Sequence, residues 1–316
     1  MTDRCNFRCT YCMPKEVFGP GYQFLPREQL LTFEEITSVV GHFVARGVEK
    51  VRITGGEPLL RKGIEQLIGL IAEVDGVEDL TLTTNASLLA RKADRLAEAG
   101  LNRVTVSLDA MDDETFQEMN DVGFPVATVL EAIDVAADAG LGPIKVNAVI
   151  KRGVNEHAVV DMARHFRGTG HIVRFIEYMD VGNSNGWRLD DVVPADQMLE
   201  AIHAEFPLEA KPANYPGEVA NRFSYLDGEG EVGVIASVTK PFCGSCTRAR
   251  ISAEGSMYTC LFASSGTSLR DVIRSGGDLA ATIDEIWGKR DDRYSEIRSS
   301  NTARLSVPVE MSYIGG

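Results

Sequence analysis

The sequence predicts an α/β protein in which a parallel sheet, closed as a barrel, precedes a smaller C-terminal α+β domain. Three observations lead to this class. Apolar segments rich in β-branched residues alternate with amphipathic segments at intervals of roughly 25–35 residues. Polar or glycine-rich residues follow the predicted strands, and the alternation ends near residue 205. Repeated strand–helix units require parallel strands, in either a barrel or an open doubly wound sheet.

The alternating region contains predicted strands and helices in regular succession. The strands are expected at residues 51–54, 79–83, 103–107, 145–150 and 173–178, and the helices at residues 33–46, 64–74, 86–99, 126–139 and 156–166. Thr32 and Glu35 form a capping box at the start of the first helix. Gly47, Gly100 and Gly140 each follow a helical segment, where glycine commonly caps a helix C-terminus.

The residues at the strand ends favour a barrel over an open sheet. Residues 55–58 read GGEP, residues 84–85 read TN, residues 107–109 read SLD and residues 177–180 read EYMD, while Asn147 lies inside its strand. In parallel barrels the functional residues come from the carboxyl ends of several strands, whereas open sheets gather them at one switch point. Ordinary turn chemistry explains any one of these segments but explains all of them poorly.

The pattern changes in the last third of the chain. Residues 211–217 hold two prolines and a glycine and predict a linker. Short strands are expected at residues 222–226 and 231–235, with a helix near residues 279–288. We therefore predict one domain over residues 1–205 and a smaller one over residues 206–316.

Composition and charge exclude several functions. A chain of 316 residues with 44% hydrophobic content can bury one large core or two domains. A formal net charge of −14 argues against a general nucleic-acid-binding or membrane surface, so a phosphate-bearing substrate needs a local group of cations. No apolar segment follows a charged start and no run of 18 apolar residues occurs. We expect neither a signal peptide nor a membrane span, and a cytoplasmic location.

The cysteines fall into two triplets: Cys5, Cys9 and Cys12, then Cys243, Cys246 and Cys260. Two such groups without an export signal are typical of metal ligands rather than disulfides. Four thiolates would close a structural zinc or iron–sulfur site, whereas three leave one coordination position open. The alternatives are a zinc site completed from elsewhere, or reduced cysteines in the core. For the second triplet zinc is disfavoured, because all five histidines precede the linker.

The first triplet spells CxxxCxxC with Tyr11 before the third cysteine, and GGEP follows at residues 55–58. This combination resembles the signature of the radical S-adenosylmethionine (SAM) superfamily. The resemblance implies an incomplete barrel of the triosephosphate isomerase type. It also implies a 4Fe–4S cluster on the three cysteines, with the fourth iron chelated by SAM. By the same resemblance, the SAM contacts are Tyr11, Gly56, Ser107 and Met179.

The second triplet has cations and no carboxylates around it. Residues 240–250 contain Lys240, Arg248 and Arg250. The two arginines are two residues apart in a predicted strand, which places both side chains on one face. Two guanidiniums can hold a triphosphate through bidentate contacts, although a solvated surface is the simpler alternative.

The pattern CxxC-x13-C with this arginine pair, together with the terminal sequence SYIGG at residues 312–316, resembles the GTP 3',8-cyclase family (molybdenum cofactor biosynthesis protein A) along the whole chain. The resemblance implies a lyase that converts GTP to 3',8-cyclo-7,8-dihydro-GTP, the first step of molybdopterin biosynthesis. A 5'-deoxyadenosyl radical from SAM would abstract the ribose 3' hydrogen, and a second 4Fe–4S cluster in the C-terminal domain would bind guanine. The implied GTP contacts are Arg52, Thr83, Lys145, Arg248 and Arg250, with Arg61 and Arg174 as further candidates.

The same resemblance implies an electron donor and a downstream cyclic pyranopterin monophosphate synthase as partners, and it allows a homodimer. It also implies an early strand and a GTP-contacting arginine ahead of the first cysteine, whereas residues 1–4 alone precede Cys5 here. Another radical SAM enzyme with an auxiliary cluster, such as a peptide maturase, is an alternative, although these usually carry more C-terminal cysteines. A non-catalytic metal-binding module with a Gly-Gly conjugation tail leaves GGEP without a role.

Overall fold

A computed structural model describes residues 1–298 and 308–315. In these residues the helices are α1 (Phe33–Val44), α2 (Ile64–Ala72), α3 (Ala93–Glu98), α4 (Asp113–Asn120), α5 (Val126–Asp138), α6 (Ala158–Phe166), α7 (Ala195–Glu205), α8 (Leu269–Ser275), α9 (Leu279–Gly288), α10 (Tyr294–Ile297) and α11 (Met311–Ile314). The strands are β1 (Lys50–Ile53), β2 (Asp79–Thr84), β3 (Arg103–Ser107), β4 (Lys145–Ile150), β5 (Ile172–Glu177), β6 (Leu208–Lys211), β7 (Asn221–Tyr225), β8 (Glu231–Ile235), β9 (Arg250–Ile251), β10 (Ser256–Tyr258) and β11 (Thr267–Ser268).

The main sheet has the strand order β1-β2-β3-β4-β5-β8-β7-β6. Strands β1 to β5 and β8 pair in parallel, and β7 and β6 extend the sheet as antiparallel strands. Strands β1 and β6 lie at opposite edges, and no pairing joins them in the described part of the chain. The sheet is therefore an incomplete barrel, which confirms the predicted fold class.

The two faces of this sheet differ in chemistry. On the outer face Leu82, Val106, Val146 and Phe175 are no more than 1% exposed, and they belong to a core that includes residues of α2, α3, α5 and α6. The alternate positions on the inner face are mostly polar or charged along β1 to β5. A closed barrel of this type fills its interior with apolar side chains. A polar inner face instead provides room for a polar ligand.

Most elements of the alternating region lie within two residues of their predicted bounds, and the capping box at Thr32 is present. The helix predicted over residues 86–99 is wrong in its first half, since α3 begins at Ala93. The reason is local: Ala86 has a positive φ of 64°, and the Asn85 side chain accepts from the Ser87 amide at 3.1 Å. Such side-chain-to-backbone bonds compete with helix formation. The pattern also left α4 and α7 unpredicted.

The strands expected in the C-terminal domain join the main sheet, because β8 pairs with β5 and β7 pairs with β8. The sequence assigned these strands to the smaller domain and did not predict that they would extend the main sheet. The division at residues 205 and 206 stays a prediction about folding units. A small three-stranded sheet, β9 to β11, and helices α8 and α9 follow, and their apolar residues pack with Val39 of α1.

Two further features concern membrane-spanning helices and the C-terminal residues. Among the described residues, no helix has both the length and the apolar character needed to cross a bilayer. Of the C-terminal sequence SYIGG, Gly316 lies outside the described residues, whereas Ser312 and Ile314 are buried in α11.

Candidate functional site

The first cysteine loop, residues 5–12, is folded by its own backbone and by one arginine. The amide N–H of Cys12 donates to the carbonyl oxygen of Cys9 at 2.9 Å. The Arg8 guanidinium donates to three carbonyl oxygens at 2.7–2.8 Å, those of Cys5, Phe7 and Phe18. The loop is also joined to the end of α4, since the Arg8 amide donates to the Asn120 carbonyl at 3.0 Å. These bonds gather the three thiols on one side of the sheet.

The electrostatics of this loop fit a positively charged metal centre. Burial raises the pKa of Cys5 to about 11. Burial also raises the pKa of Cys9 and Cys12, and the charges of Asp109 and Cys5 add to the effect. Three thiolates here therefore need a compensating cation, which iron supplies. Among the described residues, no three Cys, His, Asp or Glu side chains are arranged so that they could hold a single metal ion. A 4Fe–4S cluster instead uses each thiolate on a different iron.

The GGEP segment lies directly against residues 2–4. A Cβ at Gly55 would stand 2.5 Å from the Thr2 carbonyl oxygen, and one at Gly56 would overlap the Arg4 carbonyl. The Gly56 amide donates to the Thr2 carbonyl at 2.8 Å. The paired glycines therefore admit the backbone that leads into the cysteine loop. The SAM contact of Gly56 stays a prediction.

Glu57 of the same segment has a role that the sequence did not reveal. Its carboxylate is 1% exposed and accepts from the amides of Leu59 and Asn85 and from the Thr84 hydroxyl, at 2.8–2.9 Å. Burial raises its pKa to about 7 despite these bonds. Glu57 thus joins the turn after β1 to the end of β2. Its place in GGEP is the signal that could have indicated it.

Three predicted SAM contacts, Gly56, Ser107 and Met179, lie at or after the carboxyl ends of strands, and the fourth, Tyr11, lies in the first cysteine loop. Tyr11 donates its hydroxyl to Asp109 at 2.9 Å, and burial raises the pKa of Asp109 to about 6. Ser107 ends β3, and Met179 follows β5, where its sulfur accepts from the Ser237 hydroxyl at 3.4 Å. Asp109, which sequence analysis noted only as part of a strand end, fixes the tyrosine of the cysteine motif.

Four predicted GTP contacts, three of them cations, share the inner face of the sheet. The strand registers place Arg52, Lys145 and Arg174 on one face with Thr83. Arg52 donates to the Thr83 hydroxyl at 3.4 Å, and Arg174 donates to Asn147 at 2.9 Å. Among the described residues none of the three cations forms an ion pair. Burial, followed by repulsion from neighbouring cations, lowers the pKa of Lys145 to about 8 and that of Arg174 to about 9. Unpaired cations held together in this way attract anions.

The second cysteine loop, residues 243–249, brings two thiols and Arg248 close to Arg250 of β9 and to Cys260. The Cys246 amide donates to the Cys243 carbonyl at 3.2 Å, and Cys260 lies in electrostatic range of Cys243. Both Nε and Nη2 of Arg248 donate to the Cys246 sulfur at 3.3 Å. Burial acts to raise the pKa of Cys246, but the Arg248 guanidinium overrides it and the pKa is lowered. Thiolates beside guanidiniums suit metal ligation. Burial is the largest cause of the lowered pKa of Arg52, and repulsion from Arg248 adds to it. The second cysteine loop therefore lies near the cations of the sheet.

Two arginines lie differently from the prediction. Arg248 precedes β9 rather than sharing a strand with Arg250, because the chain there follows the cysteine turn. The predicted common strand face is therefore wrong for Arg248. Arg61 donates to the carbonyl oxygens of Met1 and Leu31, at 3.3 and 2.9 Å, and does not join the inner-face cations. The substrate roles of both residues stay predictions.

Two protein-family models match the chain. The Radical SAM superfamily matches residues 1–166, and Molybdenum Cofactor Synthesis C matches residues 171–296. The GTP 3',8-cyclase of Acidothermus cellulolyticus is 52% identical over 343 residues, which cover 100% of this chain and 95% of that protein. The GTP 3',8-cyclase of Xanthomonas axonopodis pv. citri is 50% identical over 99% of this chain and 94% of its own. That of Staphylococcus carnosus is 45% identical over 100% and 94%.

Solved structures are similar in fold at low sequence identity. Native anSMEcpe with bound AdoMet and Cp18Cys peptide has a TM-score of 0.54 and 17% identity, over 82% of this chain and 71% of that chain. SuiB of Streptococcus suis bound to S-adenosylmethionine has a TM-score of 0.52 and 17% identity, over 64% and 45%. These likenesses support the incomplete barrel alone. Identity of about half the residues across the whole chain goes further: the chain belongs to the GTP 3',8-cyclase family of the radical SAM superfamily.

Proposed function

We propose that this chain is a lyase that cyclises GTP to 3',8-cyclo-7,8-dihydro-GTP in molybdenum cofactor biosynthesis. The observation that carries the proposal is the group of unpaired cations on the inner face of the sheet, with a three-cysteine loop beside it. In a chain of net charge −14, such a group is a local exception that suits a triphosphate.

The first cysteine loop would hold the 4Fe–4S cluster of the superfamily through Cys5, Cys9 and Cys12. When bound, this cluster would supply the electron for reductive cleavage of SAM into methionine and a 5'-deoxyadenosyl radical. Tyr11 of the first cysteine loop and three residues at or after strand ends, Gly56, Ser107 and Met179, would bind and orient SAM. The hydroxyl of Tyr11 is fixed by Asp109, so the aromatic ring beside the cluster is held in one place. Fixed orientation is the main contribution that a protein makes to cofactor-driven chemistry.

On the substrate side, Arg52, Lys145 and Arg174 would bind the phosphates, with Thr83 orienting Arg52. Cys243, Cys246 and Cys260 would hold a second 4Fe–4S cluster with an open iron for the guanine base. Three thiols and two arginines, which come together from the segment before β9, from β9 itself and from the turn after β10, support this assignment. Arg250 lies beside Cys246 and Cys260 and would fix the nucleotide next to the cluster. By pathway, an electron donor and a cyclic pyranopterin monophosphate synthase are the expected partners.

The proposal is tested by anaerobic reconstitution followed by turnover with GTP, SAM and a reductant. We expect about eight irons per chain, the content of two 4Fe–4S clusters. The cyclised nucleotide should form together with 5'-deoxyadenosine, and omitting GTP should remove the nucleotide product alone. A protein with full iron content that cleaves SAM but leaves GTP unchanged would exclude the proposed reaction.

A further inference from the structure

The segment between β6 and β7 spans the opening of the incomplete barrel. This β6–β7 loop comprises residues 212–220. Strands β6 and β1 form opposite edges of the sheet, yet Tyr215 of the loop reaches the first residue of β1. The Nζ atom of Lys50 lies 5.5 Å from the centroid of the Tyr215 ring, a cation–π distance. The loop therefore joins the two edges through side chains, where no backbone pairing joins them among the described residues.

The same loop packs against the second cysteine loop. A Cβ at Gly217 would stand 2.8 Å from the Ser245 carbonyl oxygen and 2.9 Å from the Thr247 hydroxyl. Gly217 also has a φ of +84°, which side-chain-bearing residues rarely adopt. The β6–β7 loop thus lies where the inner-face cations meet the cysteine and arginine residues of the second loop.

Hydrogen bonds hold the β6–β7 loop in one conformation. The Glu218 carboxylate accepts from the amide and the side-chain nitrogen of Asn214, at 2.6 and 3.2 Å. Arg222 donates to the Pro212 carbonyl at 3.2 Å and to the Asn214 side-chain oxygen at 2.6 Å. A loop braced at both ends presents Tyr215 in a defined position, as a binding residue requires.

The phenol of Tyr215 is placed to meet an anion. The residue is 45% exposed, and its hydroxyl makes no hydrogen bond to any residue in the described parts of the chain. Burial lowers the pKa of Arg52 and of Arg174, and Tyr215 acts to raise both pKa values. Tyr215 therefore lies within electrostatic range of the two cations. The neighbouring cations are donors themselves and cannot accept from the Tyr215 hydroxyl. An oxyanion that binds those cations can accept from it.

We propose that Tyr215 is a further substrate-contact residue, whose hydroxyl donates to a phosphate oxygen of GTP bound by Arg52, Lys145 and Arg174. Its ring, with Lys50, forms the wall that closes the open side of the barrel over the phosphates. This inference rests on the proposed function, because it assumes that the inner face binds GTP. It adds a binding residue on the β6–β7 loop, which the sequence indicated only as a linker.

The test compares Tyr215→Phe with the unchanged protein in calorimetric titrations of the reconstituted enzyme. The ligands are GTP, inorganic tripolyphosphate and guanosine. We expect Tyr215→Phe to weaken binding of GTP and tripolyphosphate by about tenfold or more, the effect of losing a hydrogen bond to a charged group, and to leave guanosine binding unchanged. Tyr22→Phe is the matched control, since Tyr22 is similarly exposed at 41% and contacts the rings of Phe18 and Phe24.

Unchanged GTP affinity in Tyr215→Phe would overturn the inference, and so would a loss confined to guanosine. If the unchanged protein binds neither GTP nor tripolyphosphate, the proposed function itself fails, which is a separate result. A second pair of variants tests the loop. Gly217→Ala should displace it from Ser245 and weaken GTP binding, whereas Gly228→Ala should not, because Gly228 has the same φ of +84° but open space around its Cβ. Equal effects of the two alanines would count against the loop contact.

Discussion

GTP binding should weaken as the pH rises through about 8, because Lys145 loses its charge there. Burial is the largest cause of its lowered pKa, and repulsion from Arg174, Arg103 and Lys50 adds to it. Glu218 of the β6–β7 loop acts in the opposite direction, yet the pKa remains at about 8 against an ordinary value of 10.5. A lowered pKa means that the charge is present below pH 8 and is lost above it.

The size of the effect follows from the charged fraction of Lys145. With a pKa of about 8, about nine tenths of the side chains are charged at pH 7 and about one tenth at pH 9. If GTP selects the charged form, its apparent affinity scales with that fraction, so the dissociation constant should rise about tenfold between these pH values. This factor corresponds to about 1.4 kcal/mol of binding free energy.

The assay is calorimetric titration of GTP at fixed ionic strength from pH 6.5 to 9.5, with the unchanged protein and Lys145→Arg side by side. A guanidinium holds its proton more tightly than an ammonium, so Lys145→Arg should keep its charge to higher pH and reduce the contribution of residue 145 to the profile. Ionisation of GTP itself affects both proteins equally and cancels in the ratio of their dissociation constants. A ratio that stays constant across the range would refute the assignment of Lys145 as a titrating GTP contact.

Three further outcomes are expected. Cys12→Ala should abolish SAM cleavage, because radical formation depends on the first cysteine loop, and continued release of 5'-deoxyadenosine would contradict this assignment. Cys260→Ala should retain some reductive SAM cleavage and lose the cyclised nucleotide, whereas equal loss of both in a folded variant would show that the two sites are not separable. Arg250→Ala should weaken GTP binding by about 1.5–3 kcal/mol at unchanged iron content, and Arg250→Lys should recover part of it. Calorimetry that gives unchanged affinity for both variants would exclude the contact.

The sequence predicted the parts of the molecule that depend on local pattern. Strands β3 and β4 coincide with their predicted bounds, because their outward residues are apolar and their inward residues, apart from Val149, are polar. The alternation did not by itself indicate the inner-face cations, because Arg52, Lys145 and Arg174 were implied only by the resemblance to a known family. The cysteine spacing, by contrast, is a local feature that needs no distant residue to be recognised.

The parts that escaped prediction depend on contacts between distant segments. Residues 211–217 have the composition of a linker, and nothing in that composition shows that Tyr215 will meet Lys50 across the open sheet. The pairing of β8 with β5 is equally non-local, so a strand expected in a separate domain extends the barrel instead. The sequence showed Glu57 as part of GGEP but not its three hydrogen-bond donors, because these come from two different strand ends.

The buried charge of Lys145 on the inner face of the sheet should lower the free energy of unfolding and strengthen GTP binding. Lys145→Met tests both effects. The pKa of Lys145 is lowered to about 8, so between pH 8 and 10.5 the unfolded chain holds the proton more tightly, and stability rises with pH across that window. At pH 7 the charged side chain therefore disfavours folding, on the order of 1–3 kcal/mol after allowance for solvent screening. Lys145→Met should raise the free energy of urea unfolding at pH 7 and weaken GTP binding at the same time. A variant that loses both stability and affinity would show instead that Lys145 stabilises the sheet. That result would contradict a destabilising effect of its charge.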